Sequence, residues 1–192
     1  MQSLNNRPAT PEDVDYLVDF VLMAGEGLPE RAWAEMAEPG ETLREVGRRR
    51  AGRDEGGFSW RNATLFVRGS QVLGGLIGYR LPDEPVEIGR DFPVEFVPLQ
   101  ELENLACGSW YINILGVYEA ARGQGIGQAM LLRAEEIAVE AGASGLSLIV
   151  LSDNPDAERL YRRVGFEEVA RRRMGVPGWQ HDGCEAILLV KR

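Results

Sequence analysis

The residues best suited to chemistry lie in one short stretch, Arg122-Gly123-Gln124-Gly125-Ile126-Gly127. It stands between an apolar run ending at Val117 and an amphipathic run that follows, so it reads as a strand-to-helix turn. Glycines crowded this closely cost backbone entropy unless the main chain must approach something. The first turn of a helix offers unpaired N–H groups and the positive end of the dipole. With no side chains in the way, a diphosphate can rest on those amides, and Arg122 adds a positive charge. Other phosphate-binding designs fit less well. A P-loop needs a Lys after its glycines, and none follows. A dinucleotide turn needs Gly-x-Gly-x-x-Gly, but Met130 stands at the third position. Asp153, just past the next strand, keeps that reading open.

A second block is Asn154-x-x-Ala157-x-x-Leu160-Tyr161-x-x-x-Gly165-Phe166. Asn154 before Pro155 suits a helix N-cap. Tyr161 shares an apolar stripe with Ala157, Leu160 and Val164. Packing alone would be served by Phe, and a buried hydroxyl needs a partner.

Together these blocks resemble the GNAT superfamily of N-acetyltransferases. The family signature Arg/Gln-x-x-Gly-x-Gly/Ala is matched by Arg122, Gly125 and Gly127. Leu115-Gly116-Val117, placed just upstream, matches the wider pattern, and Glu119 departs from it where the family often has Pro. The resemblance covers residues 110–166. It implies an α/β fold with a mixed central sheet of about six or seven strands flanked by helices, splayed between the two central strands. It also implies acetyl-CoA as cofactor and acetyl transfer to a primary amine by direct attack in a ternary complex. The cofactor would be held by the backbone of Leu115 and Val117, by Arg122, Gly123, Gln124, Gly125, Ile126, Gly127 and Gln128, and by Asn154. Tyr161 would protonate the departing thiolate. Gly116 would suit a bulge in its strand.

The general base is less legible. Tyr111 and Asn113 share the face of the strand expected to meet the substrate, and neither is a good base. Glu101 and Glu103 are candidates from outside the strand, as is a water chain. Two other functions stand beside acetyl transfer. One is a non-catalytic acyl-CoA-binding module, favoured by the missing base. The other is a thiol hydrolase or acyl carrier using Cys107 or Cys184 with His181. His181, the only histidine, reads as a surface residue, and no metal ligand set is expected.

The elements that must position these residues follow from periodicity. Thr10 and Asp13 form a capping-box pattern with Pro11 at the first helical position. A helix should run from there to Gly25, with Val14, Leu17, Val18 and Val21 on one face. Two more helices are expected at residues 29–37 and 41–50, then a Gly-rich loop at 52–57. Strands at 64–67 and 72–79 flank a hairpin turn. Residues 110–117 are apolar on both faces and read as a central strand. A helix bearing Met130, Leu131, Ala134, Ile137, Ala138 and Ala141 follows, stopped near Gly142. A buried strand at 146–151, a short helix ended by Gly165, and strands near 166–171 and 184–190 complete the order.

The chain has 192 residues and a net charge of −9. That size suits a single domain over residues 1–192, and the charge argues against nucleic acid as a partner. The arginines at 48–50 and 53, and at 171–173, read as solvated faces. No run is long and apolar enough to cross a membrane. Two cysteines and a polar start with no apolar leader fit a reducing cytoplasm, with a monomer or homodimer expected. Residues 82–107 read as an acidic insertion holding at most a short helix. Against the single base Arg90 it carries Asp83, Glu84, Glu87, Asp91, Glu95, Glu101 and Glu103. This suggests an amine acceptor, small molecule or peptide, with a further positive charge.

Overall fold

A computed structural model describes residues 3–192. The elements are β1 (Asn5–Pro8), α1 (Val14–Ala24), α2 (Leu28–Met36), α3 (Leu43–Ala51), β2 (Ala63–Arg68), β3 (Gln71–Arg80), α4 (Val97–Glu103), β4 (Trp110–Val117), α5 (Ile126–Glu140), β5 (Leu146–Leu151), α6 (Pro155–Arg163), β6 (Glu167–Arg173) and β7 (Glu185–Lys191). The strands form a mixed seven-stranded sheet in the order β1-β2-β3-β4-β5-β7-β6. The chain divides into two compact units. One holds residues 1–78 and 113–131, the other residues 79–112 and 132–192.

In the first unit β1 and β3 each pair antiparallel with β2. The Thr10 signal does mark a helix start: the Asp13 carboxylate accepts from Thr10 N at 2.8 Å and from Arg7 at 2.7 Å. A single turn of 3₁₀ helix at Pro11–Asp13 then leads into α1. Leu17, Val18, Phe20 and Val21 of α1 enter a core with Trp33, Val46, Leu65, Val72, Ile77 and Ile114. Gly116 is glycine for packing. It is absent from the positive-φ positions, and a Cβ there would lie 3.0 Å from Phe20 Cδ1. A close helix–strand contact is thus one reason for a glycine here. The C-terminal end of α5, which belongs to the second unit, closes where foreseen, with Gly142 at φ +61.

In the second unit β4 and β5 run parallel, from Trp110 opposite Leu146 to Ile112 opposite Leu148. β7 pairs antiparallel with both β5 and β6. The acidic insertion folds into α4, flanked on each side by a turn of 3₁₀ helix. Fully buried Leu102 anchors α4, and the helix packs against β6 and β7. Two further fastenings hold it. Arg172 donates to Glu101 at 2.6 Å, and the Asn104 amide donates to the Val86 carbonyl at 2.8 Å while accepting from Val86 N at 2.9 Å.

Several arginines of the two clusters pair with carboxylates, Arg48 with Asp15, Arg49 with Glu41, and Arg171 with Glu168 and Glu185, whereas Arg50 donates to the Met36 sulfur at 3.2 Å and keeps a buried Nε without a partner. Among the described residues no helix is long and apolar enough to cross a membrane, and both cysteines are free thiols.

Candidate active site

In the first unit the glycine turn is shaped by its own backbone. Gly123 and Gly125 adopt φ +73 and +78, a region L side chains rarely enter. A Cβ added to either would meet nothing within 4 Å. The glycines are thus required by the turn rather than by neighbours, and the space above them is open. Buried Ile126 anchors the turn in the core and begins α5. Ile126, Gly127 and Gln128 form the first helical turn, whose amides have no acceptor within the helix. The Arg122 Nε donates to the Val117 carbonyl at 3.2 Å. Gln124 braces the turn by donating to the Ala120 carbonyl at 3.2 Å and accepting from Arg68 at 3.0 Å. Asn113, Leu115 and Val117 alternate with the buried Ile114 and Gly116 on a half-open face of β4. These features fit a diphosphate and its pantetheine arm: exposed amides at a helix start, no obstructing side chain, and one arginine.

The second unit gathers the ionisable groups. Tyr111 is only 6% exposed, and the Tyr79 ring meets its ring edge-on at 5.7 Å. Glu103, at the end of α4, faces both phenols. Burial pushes its carboxyl up to about 7. Burial, with Glu103 adding its negative charge, drives the Tyr79 phenol well above its ordinary range. The Tyr111 phenol is raised by burial first, then by Glu103, Tyr79 and Tyr161. Tyr161 sits on α6, edge-on to Phe166 at 5.9 Å, and burial lifts its phenol to about 12.

α6 is placed by Asn154, whose side-chain oxygen accepts from Ala157 N at 3.2 Å, with Pro155 in the first turn. The helix ends before Gly165 at φ +96. The N-cap role expected of Asn154 is therefore present.

Of the candidates, Tyr111, Glu103 and Tyr161 come together within the second unit, and Tyr79 joins them. From sequence alone Tyr79 is only the end of a strand. Glu101 does not join, because its carboxylate is taken by Arg172. Leu115, Val117, Asn113 and residues 122–128 belong to the first unit, and Asn154 to the second. His181 departs from the surface reading. Its side chain is 17% exposed, with Nδ1 3.0 Å from Asp153, and its ring lies 5.1 Å from that of Trp179. Two of the seven acids of the insertion are ion-paired, Asp83 with Arg80 and Glu101 with Arg172.

The sequence pattern of the acetyltransferase (GNAT) family matches residues 32–166. The chain belongs to that family, and its cofactor is accordingly acetyl-CoA or coenzyme A. It is 44% identical over 64 residues to the acetyltransferase Atu2258 of Agrobacterium fabrum, a match covering 33% of this chain and 45% of that protein. The fold is similar to an N-acetyltransferase from Staphylococcus aureus Mu50, with TM-score 0.66 and 17% identity over 97% of this chain and 100% of the other. It is likewise similar to Arabidopsis thaliana NAA60 in complex with a bisubstrate analogue, with TM-score 0.62 and 18% identity over 98% and 97% of the two chains.

Proposed function

We propose that this chain is one acetyltransferase domain that moves the acetyl group of acetyl-CoA to a primary amine in a ternary complex, with Glu103 as general base and Tyr161 as acid. The observation that carries this reading is the Glu103 carboxyl. Burial lifts it to about 7, and its charge acts on the Tyr79 and Tyr111 phenols, a setting suited to a general base of neutral pH. It supplies the base whose apparent lack favoured a non-catalytic binding module.

Acetyl-CoA supplies a thioester carbonyl open to attack. The acceptor nitrogen forms the new C–N bond as the C–S bond breaks, with the electron pair leaving on sulfur. Glu103 takes the proton from nitrogen, and Tyr161 directs its O–H at the sulfur. The amides of residues 123–128 hold the diphosphate with Arg122. The backbone of Leu115 and Val117 would serve the pantetheine. Two free thiols suit a reducing, cytoplasmic setting.

The cofactor assignment has a direct test. Coenzyme A should raise the melting temperature of the native protein, because it binds only the folded state. Gly125→Val should lose most of that shift. Gly40→Val is the control, since Gly40 has a similar φ of +86 and equally open surroundings, and it should keep the shift. A Gly125→Val protein that responds like wild type would move the diphosphate elsewhere.

The further positive charge of the acceptor now rests on Glu84, Glu87, Asp91 and Glu95, acids without an ion pair among the described residues. If they steer a cation, kcat/KM for a diamine should fall between 50 and 300 mM salt more steeply than for a monoamine. Equal slopes would remove the idea.

A further inference from the structure

The second unit satisfies its buried hydroxyls where no ligand is called for. Ser109 Oγ donates to the Ala106 carbonyl at 2.6 Å and lies 2.6 Å from Ser147 Oγ. Tyr111 breaks that habit. It is 6% exposed, yet its hydroxyl forms no hydrogen bond with any described residue. The same holds for the hydroxyl of Tyr79 and the carboxylate of Glu103. Tyr79 and Glu103 are half-buried, and the polar atoms of all three keep contact with solvent, so a ligand that displaces this water must replace its hydrogen bonds. The Tyr79 and Tyr111 rings meet at 5.7 Å and both phenols feel the charge of Glu103, so the three groups mark a place where a ligand's polar atoms can complete the set.

The chemistry of the three groups narrows that ligand. Glu103, once ionised, only accepts hydrogen bonds, and the reacting amine satisfies it. Both phenols stay protonated through the working pH range, so each has an O–H to donate. An amine on a bare hydrocarbon chain has no lone pair to offer them once its nitrogen is engaged. An oxygen close to the nitrogen does. We propose that the acceptor carries a carbonyl or hydroxyl oxygen on the carbon next to the one bearing its amine, held by Tyr111 with Tyr79 beside it. This rests on reading Glu103 as the base, and it favours amino amides and amino alcohols over alkylamines and polyamines. Sites built to bond a polar atom discriminate strongly against analogues that lack it.

The test compares glycinamide and ethanolamine with propylamine and spermidine, for the native protein and for Tyr111→Phe and Tyr79→Phe. Dividing variant by wild-type kcat/KM cancels the intrinsic reactivity of each amine. At least one oxygen-bearing acceptor should be preferred, and Tyr111→Phe should lower its kcat/KM at least tenfold more than that of propylamine. Tyr79→Phe should show the same sign with a smaller factor. Tyr111→Phe should melt no lower than wild type, since it removes a hydroxyl with no internal partner. Equal losses for all four amines, or spermidine as the best acceptor with an unaltered Tyr111→Phe ratio, would overturn the proposal. So would a lowered melting temperature. Failure of the base assignment looks different: a Glu103→Gln protein that keeps its activity near neutral pH.

Discussion

Glu103→Gln should lower kcat by about 10²–10⁴, the usual worth of general base catalysis. It should also remove a limb from the pH profile. The base works only when ionised, so wild-type kcat/KM should rise with pH and reach half its plateau near 7, where burial has lifted this carboxyl. In the variant that limb should vanish, leaving only the titration of the acceptor amine. A stability readout separates this from misfolding. The folded-state pKa of Glu103 lies above its ordinary value of 4.5. Wild type therefore gains stability from it below pH 4.5 and loses that gain as pH rises through 7. Glu103→Gln has no such loss, so it should melt higher than wild type at pH 8. A variant that keeps both the limb and the rate would place the base elsewhere.

The second large effect is that of Tyr161→Phe. It keeps the edge-on contact with Phe166 and deletes only the hydroxyl, so acetyl-CoA binding should hardly change. A fall in kcat of roughly tenfold or more is expected, without displacement of the limb near pH 7. At a pKa of about 12 the phenol stays protonated at any pH the protein tolerates. A free thiol titrates near 8.5, so transfer to a fully solvated thiolate would run uphill. Burial that lifts the phenol also lifts a thiol in apolar surroundings, which narrows the gap. The hydroxyl then serves first as a hydrogen-bond donor to charge growing on sulfur. An unchanged kcat with a good acceptor would return Tyr161 to a packing role.

Much of this was legible in the chain because it is local. A glycine turn between an apolar run and an amphipathic run announces itself, as does Asn-Pro at a helix start. What stayed hidden depends on distant partners. Glu101 and Glu103 are about 200° apart around a helix, so only one can face the phenols. The choice falls to Arg172, which holds Glu101 at 2.6 Å and lies on a strand far along the chain. The packing reason for Gly116 is not legible in the chain because it lies in the position of Phe20, remote in sequence. His181 looked like surface because Asp153, which holds it, is remote in sequence. Strand β1 went unread since Asn5–Pro8 is a polar edge strand with no residue fully buried. Tyr79 carried no signal beyond an aromatic near the end of a strand.

The most direct measurement follows thiol release from acetyl-CoA across a panel of primary amines at pH 8, with the product of each reaction weighed by mass spectrometry. Acetyl transfer requires release that depends on the amine, one acetylated amine for each thiol, and little release when the amine is omitted. Release at the same rate with and without amine would make the protein a thioesterase, and no release with any amine would leave it a binding module.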